Sequence, residues 1–186
     1  MKPGKIFVLS APSGTGKTTI ARRLVQEIPG LALSVSLTTR KPRPGEKNGQ
    51  DYFFVSRRHF QKLIQEKALV EWACVFGNYY GTLRSFVEEN LRAGRPVLLN
   101  IDTRGGLQIK KRFPGARLIG LLPPSLREQE RRLRQRGDLA EEEIRKRLEE
   151  ARRERKTLLQ FYQVRFVNRD LQSTVEKIKK FILRHA

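Results

Sequence analysis

Short apolar runs alternate with stretches in which apolar residues recur every three or four positions, and that alternation sets the architecture. Ile6-Phe7-Val8-Leu9 is a continuous apolar run that gives way to Ser10, Pro12 and Gly14, which predicts a buried strand running into a loop. Ile20, Ala21, Leu24, Val25 and Ile28 follow at helical spacing, and Pro29-Gly30 ends the helix. Residues 33–37 read as a second strand. Pro42, Pro44, Gly45 and Gly49 mark a loop that leads into a strand at residues 52–55, and residues 57–66 and 83–93 have helical patterns. Residues 97–101 and 118–122 are apolar enough for buried strands. Ser125 and Glu128 have capping-box spacing and open a charged helix that runs towards Gly137. A second charged helix is predicted over residues 140–160 and a last strand over residues 164–167. Leu171, Val175, Ile178 and Ile182 then line one face of a closing helix.

Strands alternating with helices imply an α/β fold, a parallel sheet covered by helices on both faces. The Gly/Pro-rich region 36–93 interrupts the alternation and reads as a mixed α+β insertion lobe, and residues 136–147 read as a mobile helical lid. The core is then residues 1–35, 94–135 and 148–186 of a single domain, which suits a chain of 186 residues. A hydrophobic content of 38% excludes wholesale disorder. No apolar run reaches the roughly 18 residues of a membrane span, and the stretch behind the basic N-terminus is too short for a signal peptide. A cytoplasmic protein without membrane contact is expected, as a monomer or homodimer. The single cysteine, Cys74, fits that compartment. Within Trp72-Ala73-Cys74-Val75-Phe76 it reads as a small buried hydrophobe.

The net charge of +20 points to polyanionic partners. The excess is spread along the whole chain, so nonspecific nucleic-acid association at low salt is expected and a dedicated nucleic-acid arm is not. A more specific anion site stands between the first strand and the first helix. Ala11-Pro12-Ser13-Gly14-Thr15-Gly16-Lys17-Thr18, continued by Thr19, is a phosphate-binding loop in which Ala11 replaces the usual first glycine. Gly14 and Gly16 let successive backbone N–H groups point at one anion, at a helix N-terminus that already favours negative charge. Lys17 reaches the terminal phosphates and the Thr18 hydroxyl is a candidate magnesium ligand. These residues predict nucleoside triphosphate binding without further help.

Two more segments carry a resemblance. Ser36-Leu37-Thr38-Thr39-Arg40-Lys41-Pro42-Arg43-Pro44-Gly45-Glu46, followed by Gly49-Gln50-Asp51-Tyr52-Phe53-Phe54, resembles the GMP-binding segment of guanylate kinases. Glu71 with Phe76-Gly77-Asn78-Tyr79-Tyr80-Gly81-Thr82 is similar to the second part of that site, and the likeness extends over residues 6–168. It implies phosphoryl transfer from ATP to GMP with magnesium. Arg40, Arg43, Tyr52 and Tyr80 are expected on the GMP phosphate, Glu71, Ser36, Thr82 and Asp102 on the base, and Glu46 within the same GMP site. It further implies that Arg132, Arg136 and Arg147 close over the transferring group, and that Asn168 touches the adenine of ATP.

The chemistry of these residues agrees with the resemblance. Arg40 and Arg43 stand three apart in a proline-stiffened loop, suited to gripping a monophosphate with planar forks. Guanine presents adjacent N1–H and N2–H donors that one carboxylate accepts together, whereas adenine would set a lone pair against Glu71. The acceptor is an anionic phosphate oxygen, so no general base is needed, and His59 and His185 receive no role. Arginines in the nearly charge-balanced stretch 127–156 also suit ion-paired helix faces.

Two departures stand out. Guanylate kinases carry Asp-Ile-Asp where this chain has Asn100-Ile101-Asp102, so Asn100 is expected to act on magnesium only through water and with weaker coupling. Arg104 stands where glutamine is expected. Other readings are a catalytically weak guanylate-kinase-like binding module, a kinase for a related small phosphate acceptor, and a nucleic-acid binder.

Overall fold

In the computed structural model, residues 3–135 and 140–186 are described. Strand β1 (Ile6–Ser10) is buried along its whole length, which requires neighbours on both edges and cover on both faces. It receives them in a five-stranded parallel sheet of order β2-β7-β1-β8-β9, with β2 (Ala32–Leu33), β7 (Val97–Asn100), β8 (Arg117–Leu122) and β9 (Val164–Val167). Side-chain alternation divides the core in two. Phe7 and Leu9 pack with Ile20, Ala21 and Leu24 of α1 (Lys17–Glu27) and Val175, Ile178 and Ile182 of α7 (Leu171–His185). Ile6 and Val8 pack on the other face. Their partners there include Val87 of α3 (Arg84–Arg92), Ile109 of α4 (Thr103–Arg112) and Leu158 of α6 (Glu141–Phe161). The α/β expectation is met.

Register positions the chemistry. Leu9 pairs with Asn100 and Ser10 with Gly120, so the loop after β1 and the end of β7 emerge together at the carboxyl edge of the sheet. Because β1 lies between β7 and β8, this edge is where the winding reverses, the place where open α/β sheets bind ligands.

The region 36–93 holds a second sheet of order β4-β3-β6-β5 and helix α2 (Arg57–Gln65). Its strands are β3 (Leu37–Thr38), β4 (Phe53–Phe54), β5 (Leu69–Val75) and β6 (Asn78–Leu83). The strand expected at 33–37 is two strands, β2 and β3, and the chain crosses from one sheet to the other between them. The β5–β6 hairpin changes register between Leu69 and Glu71. A bulge there lets two consecutive residues be buried, Val70 in the main core and Glu71 elsewhere. Beyond it strict alternation turns Trp72 and Cys74 outward, so Cys74 is exposed and not the buried hydrophobe expected.

Helix α4 carries no clear periodic signal, and Gly105-Gly106 lowers its propensity. The structure explains both glycines. A Cβ on Gly105 would collide with the Glu71 carboxylate, and one on Gly106 with the Tyr162 hydroxyl. Asp102 starts the helix, its Oδ1 accepting from the N–H groups of Arg104 and Gly105 at 2.7 and 3.0 Å. The helix also covers the edge of β5. Gln108 Nε2 donates to the Trp72 carbonyl at 2.7 Å and Arg112 Nη1 to the Val70 carbonyl at 2.9 Å. Helix α5 (Leu126–Arg134) opens on the expected Ser125 cap, whose Oγ accepts from Glu128 N. Among the described residues no helix is long and apolar enough to cross a membrane.

Candidate functional site

The loop after β1 is held from three sides. Gly14 and Gly16 adopt φ of 83° and 89°, the left-handed region in which side chains are strained. Gln129 of α5 donates to the Ser13 carbonyl at 2.7 Å, and Asn168, after β9, donates to the Thr15 carbonyl at 2.8 Å. Thr15 Oγ1 closes the turn on the Pro12 carbonyl at 2.7 Å. The N-terminus of α1 has no side-chain cap and no acidic residue in its first turn, so its N–H groups are left for an anion. Lys17 is half-buried, and its Nζ donates to the Ile101 carbonyl at 2.8 Å. Burial holds the Lys17 pKa below the ordinary lysine value, against the opposing pull of Glu154, Asp102 and Glu71.

This loop forms one wall of a cavity of about 330 Å³. Ala11, Pro12, Ser13, Gly14, Thr15, Gly16, Lys17, Thr18 and Thr19 all line it, and the second sheet supplies the facing wall. Arg40, Arg43, Tyr52 and Tyr80 come together there as expected. Glu46 is better described as their splint. It accepts two hydrogen bonds from Arg40 Nη2, at 2.8 and 3.0 Å, and one from Arg43 N at 2.7 Å. Arg40 also lies over the rings of Tyr52 and Phe54, at 5.4 and 5.8 Å. Tyr52 and Tyr80 meet edge to face at 6.0 Å. Arg22 of α1 forms an ion pair with Asp51, which ties this wall to the sheet domain.

Glu71 also lines the cavity and is only 3% exposed. Its Oε1 accepts from Thr82 Oγ1 at 2.6 Å. Burial pushes the Glu71 carboxyl up to about 7, with the Thr82 hydrogen bond opposing and the nearby Asp102 charge adding to the rise. Ser36 and Asp102 line the cavity as well. Asp102 is steadied through a relay in which Tyr162 Oη donates to Ser10 Oγ, and Ser10 Oγ donates to the Asp102 carbonyl. Two buried oxygens on the lining have no protein partner among the described residues, Asn100 Oδ1 and Ser34 Oγ.

The expected arginines separate. Arg147 lines the cavity with its side chain 12% exposed, paired to Glu143 at 2.6 Å and lying 5.5 Å over the Phe76 ring. Phe76 occupies the tip of the β5–β6 hairpin at φ 48°, a left-handed conformation that costs a bulky residue on the order of 1 kcal/mol. Arg132 does not line the cavity; it pairs with Glu128, whose carboxyl Arg131 and Arg132 together hold down to about 2. Arg136 and residues 137–139 of the expected lid lie outside the described residues. Asn168 commits its amide to the loop, where it braces the turn before α1.

Sequence reasoning passed over two lining residues of α6, Glu150 and Glu154. Glu150 pairs with Arg104 at 2.7 Å. Glu154 is half-buried; burial pushes its carboxyl up to about 7, and Lys17 opposes the rise.

Comparisons with known proteins agree with this geometry. The family model described as guanylate kinase matches residues 3–185. A guanylate kinase of Trichodesmium erythraeum is 44% identical over 98% of this chain and 97% of its own length. One from Gloeobacter violaceus is 47% identical over 96% of this chain and 86% of its own length. Among solved structures, the guanylate kinase from Anaplasma phagocytophilum superposes with a TM-score of 0.83 at 33% identity, covering 98% of this chain and 86% of that one.

Proposed function

This chain belongs to the guanylate kinase family, and we propose from that premise which of its residues carry the reaction. It is an enzyme that transfers the γ-phosphoryl group of ATP to GMP, giving ADP and GDP. A phosphate oxygen of GMP forms the new P–O bond while the bond to the bridging oxygen of ADP breaks. The attacking oxygen is anionic, so positioning and charge neutralisation do the work. Lys17 and the N–H groups of the loop hold the donor phosphates. Arg40 and Arg43 hold the acceptor phosphate with Tyr52 and Tyr80, and Glu46 keeps Arg40 in place before substrate arrives. Arg147 closes on the cleft from α6. The one observation that supports the orientation is that a single cavity is lined both by a buried carboxylate, Glu71, and by the Arg40–Arg43 pair. Neither a silent binding module nor a kinase for another small phosphate is favoured, because loop, lysine and base-reading carboxylate are all present.

Magnesium suits this donor set. The orphaned Asn100 Oδ1 is an acceptor for a metal-bound water. Thr18 would hold the ion directly and Asn100 through water, and the bound ion would neutralise the donor phosphates.

The test is ADP release with GMP, AMP, CMP and UMP as acceptors, repeated across pH. GMP is expected to be the selective acceptor. Its KM should rise as pH falls through about 7, by up to about tenfold per unit, because protonated Glu71 no longer accepts both guanine donors. The GMP phosphate itself titrates near pH 6, so Glu71→Gln is run in parallel and should lack the Glu71 step. A wild-type profile that parallels the variant would remove Glu71 from the base site. Gly105→Ala offers a second check, since its methyl group would press on the Glu71 carboxylate. It should raise the KM for GMP about tenfold, roughly 1.4 kcal/mol, whereas Gly115→Ala, which points into open space, should not.

A further inference from the structure

We propose that Glu154 of α6 is the positioning carboxylate that couples magnesium to ATP binding in this chain, providing beside Lys17 the negative charge that the neutral Asn100 does not. The inference rests on the reading of the cleft just given. A magnesium ion held mainly by water and phosphate is steadied by acceptors that take hydrogen bonds from its waters, and a charged acceptor steadies it more than a neutral one. Asn100 offers only an amide oxygen.

Glu71, Asp102 and Glu154 all line the cavity that Lys17 also lines. The first two are committed. Glu71 takes the Thr82 hydroxyl at 2.6 Å, and Asp102 caps α4 through Oδ1. Among the described residues Glu154 forms no hydrogen bond and no ion pair, yet it is half-buried on the wall of the cavity that Lys17 and Asn100 also line. A carboxylate drawn out of water with no fixed donor is costly unless a bound cation compensates it.

The helix is also fixed at this point. Ala151 and Leu158, three residues before and four after Glu154, are buried in the core, and Glu150 one turn earlier is tied to Arg104. Glu154 is therefore presented to the cleft by a packed helix.

The test measures ATP binding calorimetrically without GMP, with and without magnesium, so no turnover is read. In the wild type magnesium should tighten ATP binding. Glu154→Gln should reduce that tightening by about tenfold or more, while magnesium-free ATP binds as tightly as before or more so, because a like charge has gone. Glu154→Asp should fall between the two. Asn100→Asp added to Glu154→Gln should restore much of the tightening, which a merely structural role of Glu154 does not predict. Unchanged coupling in Glu154→Gln overturns the inference and leaves the kinase reading intact. Wild-type ATP binding that is indifferent to magnesium overturns both the inference and the magnesium assignment.

Discussion

Replacing Lys17 with alanine should lower kcat by about a thousandfold, roughly 4 kcal/mol of transition-state stabilisation, with GMP affinity changed only a few-fold. On the proposed reading the ammonium neutralises charge that moves during transfer, and its removal leaves Arg40, Arg43, Tyr52 and Tyr80 in place. Charge deletion here has a second effect. Glu154 and Glu71 both draw on Lys17 to offset burial, so the variant should hold both carboxyls protonated to still higher pH. The Ile101 carbonyl loses its donor as well, at a cost of about 1 kcal/mol. The fold should survive, since the parallel sheet does not depend on this side chain. Single-turnover kinetics and a thermal melt separate the two effects, and a variant retaining more than a tenth of the wild-type kcat would rule out Lys17 as the main phosphate-holding group.

Glu71→Gln should produce the largest change in selectivity. A glutamine amide cannot accept from guanine N1–H and N2–H together, and its own N–H would face one of them. The kcat/KM for GMP should fall by roughly a thousandfold, whereas AMP, with an acceptor at N1, should lose far less. The same variant should be more stable without ligand. The folded carboxyl titrates at about 7 against an ordinary 4.5. Below the ordinary value it is neutral in both states and costs nothing. As pH rises from there through about 7, only the unfolded chain ionises freely, so native stability is lost, by up to about 3 kcal/mol. The variant should therefore melt higher than wild type at pH 8 and match it near pH 4.5. Equal melting at both values would show that Glu71 is no burden to the empty enzyme. A burden of this size is a usual trade between stability and function at a binding site.

How far the sequence disclosed this site depended on what each residue owes to its neighbours in the chain. The phosphate loop was legible because its chemistry is made by consecutive backbone groups, which dictate Gly14, Gly16 and Lys17 whatever lies around them. Glu71 entered through the resemblance, which assigned it to the base, and the structure buries it on the cavity lining. Helix α4 was not legible, because Gly105 and Gly106 answer to Glu71 and Tyr162 and not to the helix that contains them. Cys74 was misread for a related reason. Apolar continuity suggests burial, yet past the bulge this strand pairs antiparallel with β6 in a sheet with one open face. Glu150 and Glu154 lie in a 21-residue helix rich in both charges, and which carboxylates face inward is decided by how that helix docks. The same docking brings Arg147 to the cleft, while Arg132 is held by Glu128 one turn away on its own helix.

The outward turn of β5 also equips the molecule with its own reporters. Trp72 is the only tryptophan in the chain and Cys74 the only cysteine. Both are exposed and two positions apart on the strand whose inner side carries Glu71. Indole emission, or a single thiol-linked dye, therefore reports on the second sheet selectively. A change in indole emission on adding GMP is the expected readout in the unaltered sequence, with no second tryptophan or thiol to remove first.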